Sequence, residues 1–321
     1  MRVRTTACFT AISLLAAAMA SVPAAAQAPF ARIVVFGASL SDSGNAFALR
    51  GGTNTPPDYL LDPLLVPSAP YARGGHHFSN GATWIEQFAR SRGLAGSVRP
   101  AFAASDHNAT NYAVGGARAY EDGININLAA QVDAFLGQVG GVAPSDALYT
   151  IEMGGNDIRD ALVAFSEGRD GAAILQAANV SIARSIGTLY AAGARTFLVW
   201  RAPDVGLTPA IHTLDTFNPG AAHLATVLTQ GFNAGLDGVV SRLSGIPGIR
   251  ITRLDAYRLL HDLVADPAAY GLTDTVSACV TPNIPPFTCD RPDTFLFWDG
   301  IHPTKAVHAI IANEAASALT R

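Results

Sequence analysis

Short β-branched runs alternate with longer stretches of helical periodicity along the chain, and this alternation most limits what it can fold into. It is the pattern of a parallel sheet covered by helices. The first strand is expected over Arg32 to Phe36, where Ile33, Val34 and Val35 form a continuous apolar run. Others are expected from Leu148 to Met153, from Thr196 to Trp200, around Ile249 and Ile251, and briefly from Phe295 to Trp298. Between them, Asn127 is placed to cap a helix carrying Leu128, Val132, Phe135 and Leu136 on one face. Ile182, Ile186, Leu189 and Tyr190 recur at helical spacing until Gly193 stops them, and Leu224, Val227, Leu228, Phe232, Leu236, Val239, Val240 and Leu243 mark the clearest amphipathic stripe. A closing helix is expected from Pro303, burying Val307, Ile310, Ile311, Ala315 and Leu319.

With 321 residues, 49% of them hydrophobic, the chain can bury a large core. Residues 1–26 read as an export signal. Arg2 and Arg4 precede an apolar run from Phe9 to Ala20, and Ala24-Ala25-Ala26 offers a small-x-small cleavage site. The run is shorter than the roughly 20 residues a spanning helix needs. Residues 27–321 are then expected to form a single domain, secreted or periplasmic, with no integral membrane segment. Losing the signal removes two arginines and no acid, which takes the net charge from −4 to −6. No basic stripe is present to hold a phosphate backbone, so nucleic acid is not an expected partner. Cys8 leaves with the signal, and the even pair Cys279 and Cys289 reads as a disulfide in an oxidising compartment.

Two segments break the rhythm, residues 50 to 82 and residues 271 to 294. Each is either a wall of a functional site or surface packing. His76-His77, within the first, is expected to be solvated rather than liganding.

Four short blocks carry chemistry. Ser39, in Phe36-Gly37-Ala38-Ser39-Leu40-Ser41-Asp42-Ser43-Gly44-Asn45, directly follows the first strand, at the carboxyl edge where ligands bind in such sheets. Asn111-Tyr112-Ala113-Val114-Gly115-Gly116-Ala117 brings a glycine pair whose backbone N–H can approach a ligand closely. Gly154-Gly155-Asn156-Asp157 ends an apolar strand, with the Asn156 amide as a donor to a developing oxyanion and Asp157 as the helix cap. In Trp298-Asp299-Gly300-Ile301-His302-Pro303-Thr304, a carboxylate three residues before an imidazole can fold back, fix its tautomer and stabilise its charged form. Each block alone has a plainer reading as a turn or a cap; the four in this order do not.

The set resembles the SGNH or GDSL hydrolase family, and Phe78-Ser79-Asn80-Gly81 with Trp84 and Glu86 resembles its secreted lipolytic branch. The resemblance implies a three-layer α/β/α flavodoxin-like fold and hydrolysis of carboxylic esters through an acyl-enzyme, without a cofactor or metal. By position it implies Ser39 as nucleophile, His302 as base and then acid, and Asp299 as its orienting partner. It implies an oxyanion hole from the N–H groups of Ser39 and Gly116 and the side-chain amide of Asn156. The implied partner is a small acyl ester or a lipid. One departure is Ala38, where the family carries Asp. An acyltransferase or phospholipase-type acyl hydrolase on the same site, and a non-catalytic lipid- or glycan-binding protein, are the competing readings.

Overall fold

The computed structural model describes residues 30–55, 63–103 and 108–321. The export signal expected over residues 1–26 lies outside these residues, as does part of the irregular segment at 50 to 82.

The chain opens with β1 (Arg32–Gly37), then α1 (Asn45–Leu49), α2 (Trp84–Ser91) and α3 (Leu128–Gln138). After β2 (Ala147–Glu152) come α4 (Gly155–Ser166), α5 (Gly171–Ala192) and β3 (Thr196–Arg201). The helices α6 (Pro209–Phe217) and α7 (Ala221–Leu243) lead to β4 (Arg250–Asp255) and α8 (Ala256–Ala265). Last are β5 (Asp274–Ala278), β6 (Phe295–Phe297) and α9 (Lys305–Ala318).

β1 to β4 pair in sequence order, all parallel. Residues 110–114 extend the sheet beyond β1, since Val35 N–H donates to Thr110 O (2.9 Å) and Tyr112 N–H to Val35 O (2.8 Å). Counting this edge as the second strand, the order is 2-1-3-4-5, the flavodoxin-like winding. β1, β2 and β3 lack polar alternation because both faces are covered, whereas β4 is polar and partly exposed. Val34, Phe36, Tyr149, Ile151, Phe197 and Val199 face the layer of α3, α4, α5 and α7. Ile33, Val35, Leu148, Leu198, Trp200 and Leu254 face α2, α8 and α9.

Three local expectations need correction. The last helix begins at Lys305, not Pro303, because Pro303 is held in a bridge to Phe297 and Thr304 takes the N-cap, its hydroxyl facing Val307 N–H. Asn127 does occupy the N-cap position of α3, but its Oδ1 accepts from Arg118 N–H (2.9 Å) instead of the helix. Residues 271–294 are not wholly irregular, since β5 lies parallel to β6. The Cys279–Cys289 disulfide ties this segment together, with Cys279 buried beside Tyr71 and Trp298.

Candidate active site

The reversal of winding direction falls between β1 and β2, and the carboxyl ends of these strands bring the blocks together. Ser39 follows β1 by two residues. Its hydroxyl lies 2.8 Å from His302 Nε2, and His302 Nδ1 lies 2.7 Å from Asp299 Oδ2. A carboxylate only accepts, so Nδ1 carries the ring proton and Nε2 faces the Ser39 hydroxyl as acceptor. Asp299 is fully buried and saturated with donors. Its Oδ1 takes the N–H groups of Ile301 (2.9 Å) and His302 (2.7 Å), and its Oδ2 also takes the Tyr71 hydroxyl (2.9 Å). Trp298 N–H donates to His302 O (2.7 Å) and closes the turn.

Gly300 is required by a close approach. A Cβ there would stand 1.9 Å from Leu64 O, while its own N–H donates to Leu65 O at 2.9 Å. The irregular segment before α2 is thus a supporting wall of the site. Tyr71 comes from it, and so does Phe78, whose ring lies 5.3 Å from that of His302. Ser79 donates to Pro303 O (2.8 Å) and Asn80 Oδ1 accepts Lys305 N–H (2.7 Å). Phe78 to Asn80 therefore clamp the imidazole loop and the first turn of α9. His77 is not solvated as expected. It is buried, bonded to Gly74 O (2.6 Å) and paired with Glu86 (2.8 Å), which also closes the capping box of α2.

Among the proposed oxyanion donors, Asn156 and Ser39 line one cavity with His302, of about 530 Å³ with its open mouth included. Asn156 is the second residue of α4, whose cap position belongs to Gly154. Its amide is turned away from the helix and donates to Ala117 O (2.9 Å), which uses one of its two N–H groups. In the glycine pair, Gly115 N–H is taken by Asp42 Oδ2 (2.8 Å), and a Cβ on Gly115 would meet the Phe78 ring at 2.1 Å. Gly115 serves packing, and Gly116 is the member whose N–H the turn does not use.

Buried side chains knit the blocks to each other. The Asp42 carboxylate gathers the N–H groups of Gly44, Asn45, Ala46 and Gly115. Asn45 donates to Asn111 O and Ala113 O, both at 2.8 Å, and Asn111 donates to Ser41 O at the same distance. Asp157 is not a helix cap. It lies within the first turn of α4 and accepts from Ala119 N–H (2.9 Å) and Tyr120 N–H (3.0 Å), joining the third block to the second. Burial lifts its pKa to about 6 against the pull of these donors.

Glu152, the last residue of β2, lines the same cavity and was not singled out from the sequence. Its Oε2 accepts the Ala38 N–H at 3.1 Å, so a carboxyl from the neighbouring strand holds the turn where the family's Asp is replaced by Ala38. Burial pushes its pKa up to about 8, and the nearby Asp157 adds to this. At neutral pH it is a neutral acid. The available signal was a glutamate closing the otherwise uncharged run Ala147 to Ile151. Tyr71 gave no signal, since nothing local marks it among the turn residues around it.

A hydroxyl, an imidazole and a carboxylate in line at the carboxyl edge of a parallel sheet define the class of serine hydrolases. The model of the GDSL-like lipase/acylhydrolase family matches residues 33–315, and the chain belongs to that family of ester-hydrolysing enzymes. Two GDSL esterase/lipases of Arabidopsis thaliana are 27% and 28% identical to it over 335 and 337 residues, each alignment covering 88% of this chain and 84% of the relative. A solved structure of a lipolytic G-D-S-L family member from Veillonella parvula aligns over 90% of this chain and 98% of its own, with a TM-score of 0.44 and 16% identity. Among the described residues no helix is long and apolar enough to cross a membrane.

Proposed function

We propose that the protein hydrolyses carboxylic esters through an acyl-enzyme on Ser39. The observation that carries this reading is the unbroken chain from Ser39 Oγ through His302 to Asp299, at 2.8 and 2.7 Å. His302 Nε2 takes the Ser39 proton as Oγ attacks the ester carbonyl carbon. The carbonyl oxygen becomes an oxyanion facing the N–H groups of Ser39 and Gly116 and the Asn156 amide. Asp299 accepts the hydrogen bond from Nδ1–H throughout and stabilises the imidazolium. His302 then returns the proton to the alcohol oxygen, the alcohol leaves, and the acyl group stays on Oγ. Water enters, gives one proton to His302 and its oxygen to the acyl carbon, and the acid departs as Ser39 regains its proton. The neutral Glu152 places no negative charge beside the oxyanion.

The reading is tested with a p-nitrophenyl ester. Ser39→Ala should lower kcat by at least about 10⁴-fold while the melting temperature holds. Near wild-type turnover in this variant would contradict it.

The same reading includes export. Residues 1–26 act as a cleavable signal, and residues 27–321 form one hydrolase domain that is secreted or periplasmic. The Cys279–Cys289 disulfide supports this, because such bonds persist in oxidising compartments. The exported protein should begin at Gln27; an intact Met1 would contradict cleavage.

A further inference from the structure

Tyr71 belongs to none of the four blocks, yet its hydroxyl donates to Asp299 Oδ2 at 2.9 Å, the same oxygen that accepts Nδ1–H of His302 at 2.7 Å. With the Ile301 and His302 N–H groups on Oδ1, the carboxylate accepts four hydrogen bonds, one for each of its lone-pair sites. The tyrosine is wholly buried and fixed on several sides. Its ring meets the Trp298 ring edge-on at 5.6 Å, its N–H donates to His77 O at 2.8 Å, and it shares an apolar cluster with Cys279 and Val280. Val280 N–H in turn donates to Trp298 O at 2.9 Å, beside the disulfide of Cys279 and Cys289. A phenylalanine would fill this cluster as well, so packing does not account for the hydroxyl. The bond to Asp299 does.

We propose that Tyr71 is a positioning residue of the hydrolase: acting through Asp299, it holds the carboxylate on Nδ1 and lowers the pH above which His302 serves as base. The proposal rests on the reading of Ser39 as nucleophile. A donor on Oδ2 draws off part of the negative charge that would otherwise stabilise the imidazolium. Without it the imidazolium persists to higher pH, where the Ser39 proton then finds no acceptor. The same bond limits how far the carboxylate can turn, and with it the imidazole that points Nε2 at the Ser39 hydroxyl. Other charged and titratable groups face His302 from elsewhere. Glu152 from β2 and Arg159 from α4 line its cavity. His308 of α9, its own pKa lowered by burial to about 3, is near enough to feel its charge. All of these stay in place when only the Tyr71 hydroxyl is removed.

The test is the pH dependence of p-nitrophenyl acetate hydrolysis by the purified protein. In Tyr71→Phe the acid limb of kcat/KM should move up by roughly 0.5–1 pH unit. On the plateau, kcat should fall about tenfold with KM little altered. Incorporating meta-fluorotyrosine at position 71, whose hydroxyl is a stronger donor, should move the limb the other way. Val280→Ala loosens the same cluster and keeps the hydroxyl, so it should melt lower and leave the limb in place. An unmoved limb in a folded Tyr71→Phe, or with meta-fluorotyrosine, would overturn the proposal. So would a limb that shifts as far in Val280→Ala, since loosened packing would then suffice. Turnover that still depends on Ser39 alongside either result would leave the hydrolase reading standing. A wild type that hydrolyses no ester would count against both.

Discussion

Asn156 and Glu152 lie on either side of the glycine pair that turns β2 into α4, and each is a polar group whose purpose depends on what develops at Ser39. Asn156 is not the cap of α4, so its replacement should cost little beyond its bond to Ala117 O, about 1 kcal/mol. In Asn156→Ala, kcat should fall by roughly 10²–10³ with KM little altered, because the lost donor acts on the transition state. Melting and kinetics on one preparation decide the matter: a lower melting point with near wild-type kcat would remove Asn156 from the oxyanion hole. Glu152 makes a prediction in pH. Its pKa is raised from 4.5 to about 8 by burial, so between these values the folded protein holds a proton that the unfolded chain has released. Stability contributed by this group is therefore full below its ordinary range and is lost as pH rises toward 8. Ionisation would also place a negative charge in the cavity lined by Ser39, so kcat/KM should decline above pH 8. Glu152→Gln cannot ionise, and should flatten both the fall in melting temperature between pH 4.5 and 8 and the decline in kcat/KM above pH 8. An identical alkaline limb in the variant would assign the decline to another group.

At the scale of elements, the imidazole is positioned from outside its own loop. The turn from Trp298 to His302 is pressed against the backbone of Leu64 and Leu65, and Phe78, Ser79 and Asn80 hold its far side. Gly300→Ala would drive a Cβ into Leu64 O, and overpacking of this kind costs about 1–3 kcal/mol. A displacement of the His302 ring of about 1 Å is worth roughly 10²-fold in rate. The variant should therefore melt lower and lose kcat by about that factor; wild-type values of both would show that the contact is not a constraint. The motifs themselves were legible in the sequence, because glycine, serine and asparagine at turns have few other uses. Their partners were not. Asp157 reads locally as a cap, yet its carboxylate serves the backbone of Ala119 and Tyr120, thirty-eight and thirty-seven positions away. The start of α9 moved for a similar reason, since the bridge of Pro303 to Phe297 lies outside any local pattern.

For the whole molecule, the apolar runs identified β1, β2 and β3 and the faces they bury, because a run without polar alternation has to be covered twice, while the polar β4 was marked only by Ile249 and Ile251. The fifth, edge strand at residues 110–114 was legible as a short β-like run before the glycine pair, but its place beside β1 was not, since it forms only part of a ladder. That strand carries the second block to the level of Ser39, and the 2-1-3-4-5 order places all four blocks at one end of the sheet. The account depends on Ser39 being the single activated hydroxyl among many on this chain. Treating the purified protein with a fluorophosphonate and mapping the adduct by mass tests that most directly. One phosphonyl group on the peptide containing Ser39, absent from Ser39→Ala and greatly slowed in His302→Ala, is the expected result. An adduct on another residue, or labelling that persists in Ser39→Ala, would contradict it.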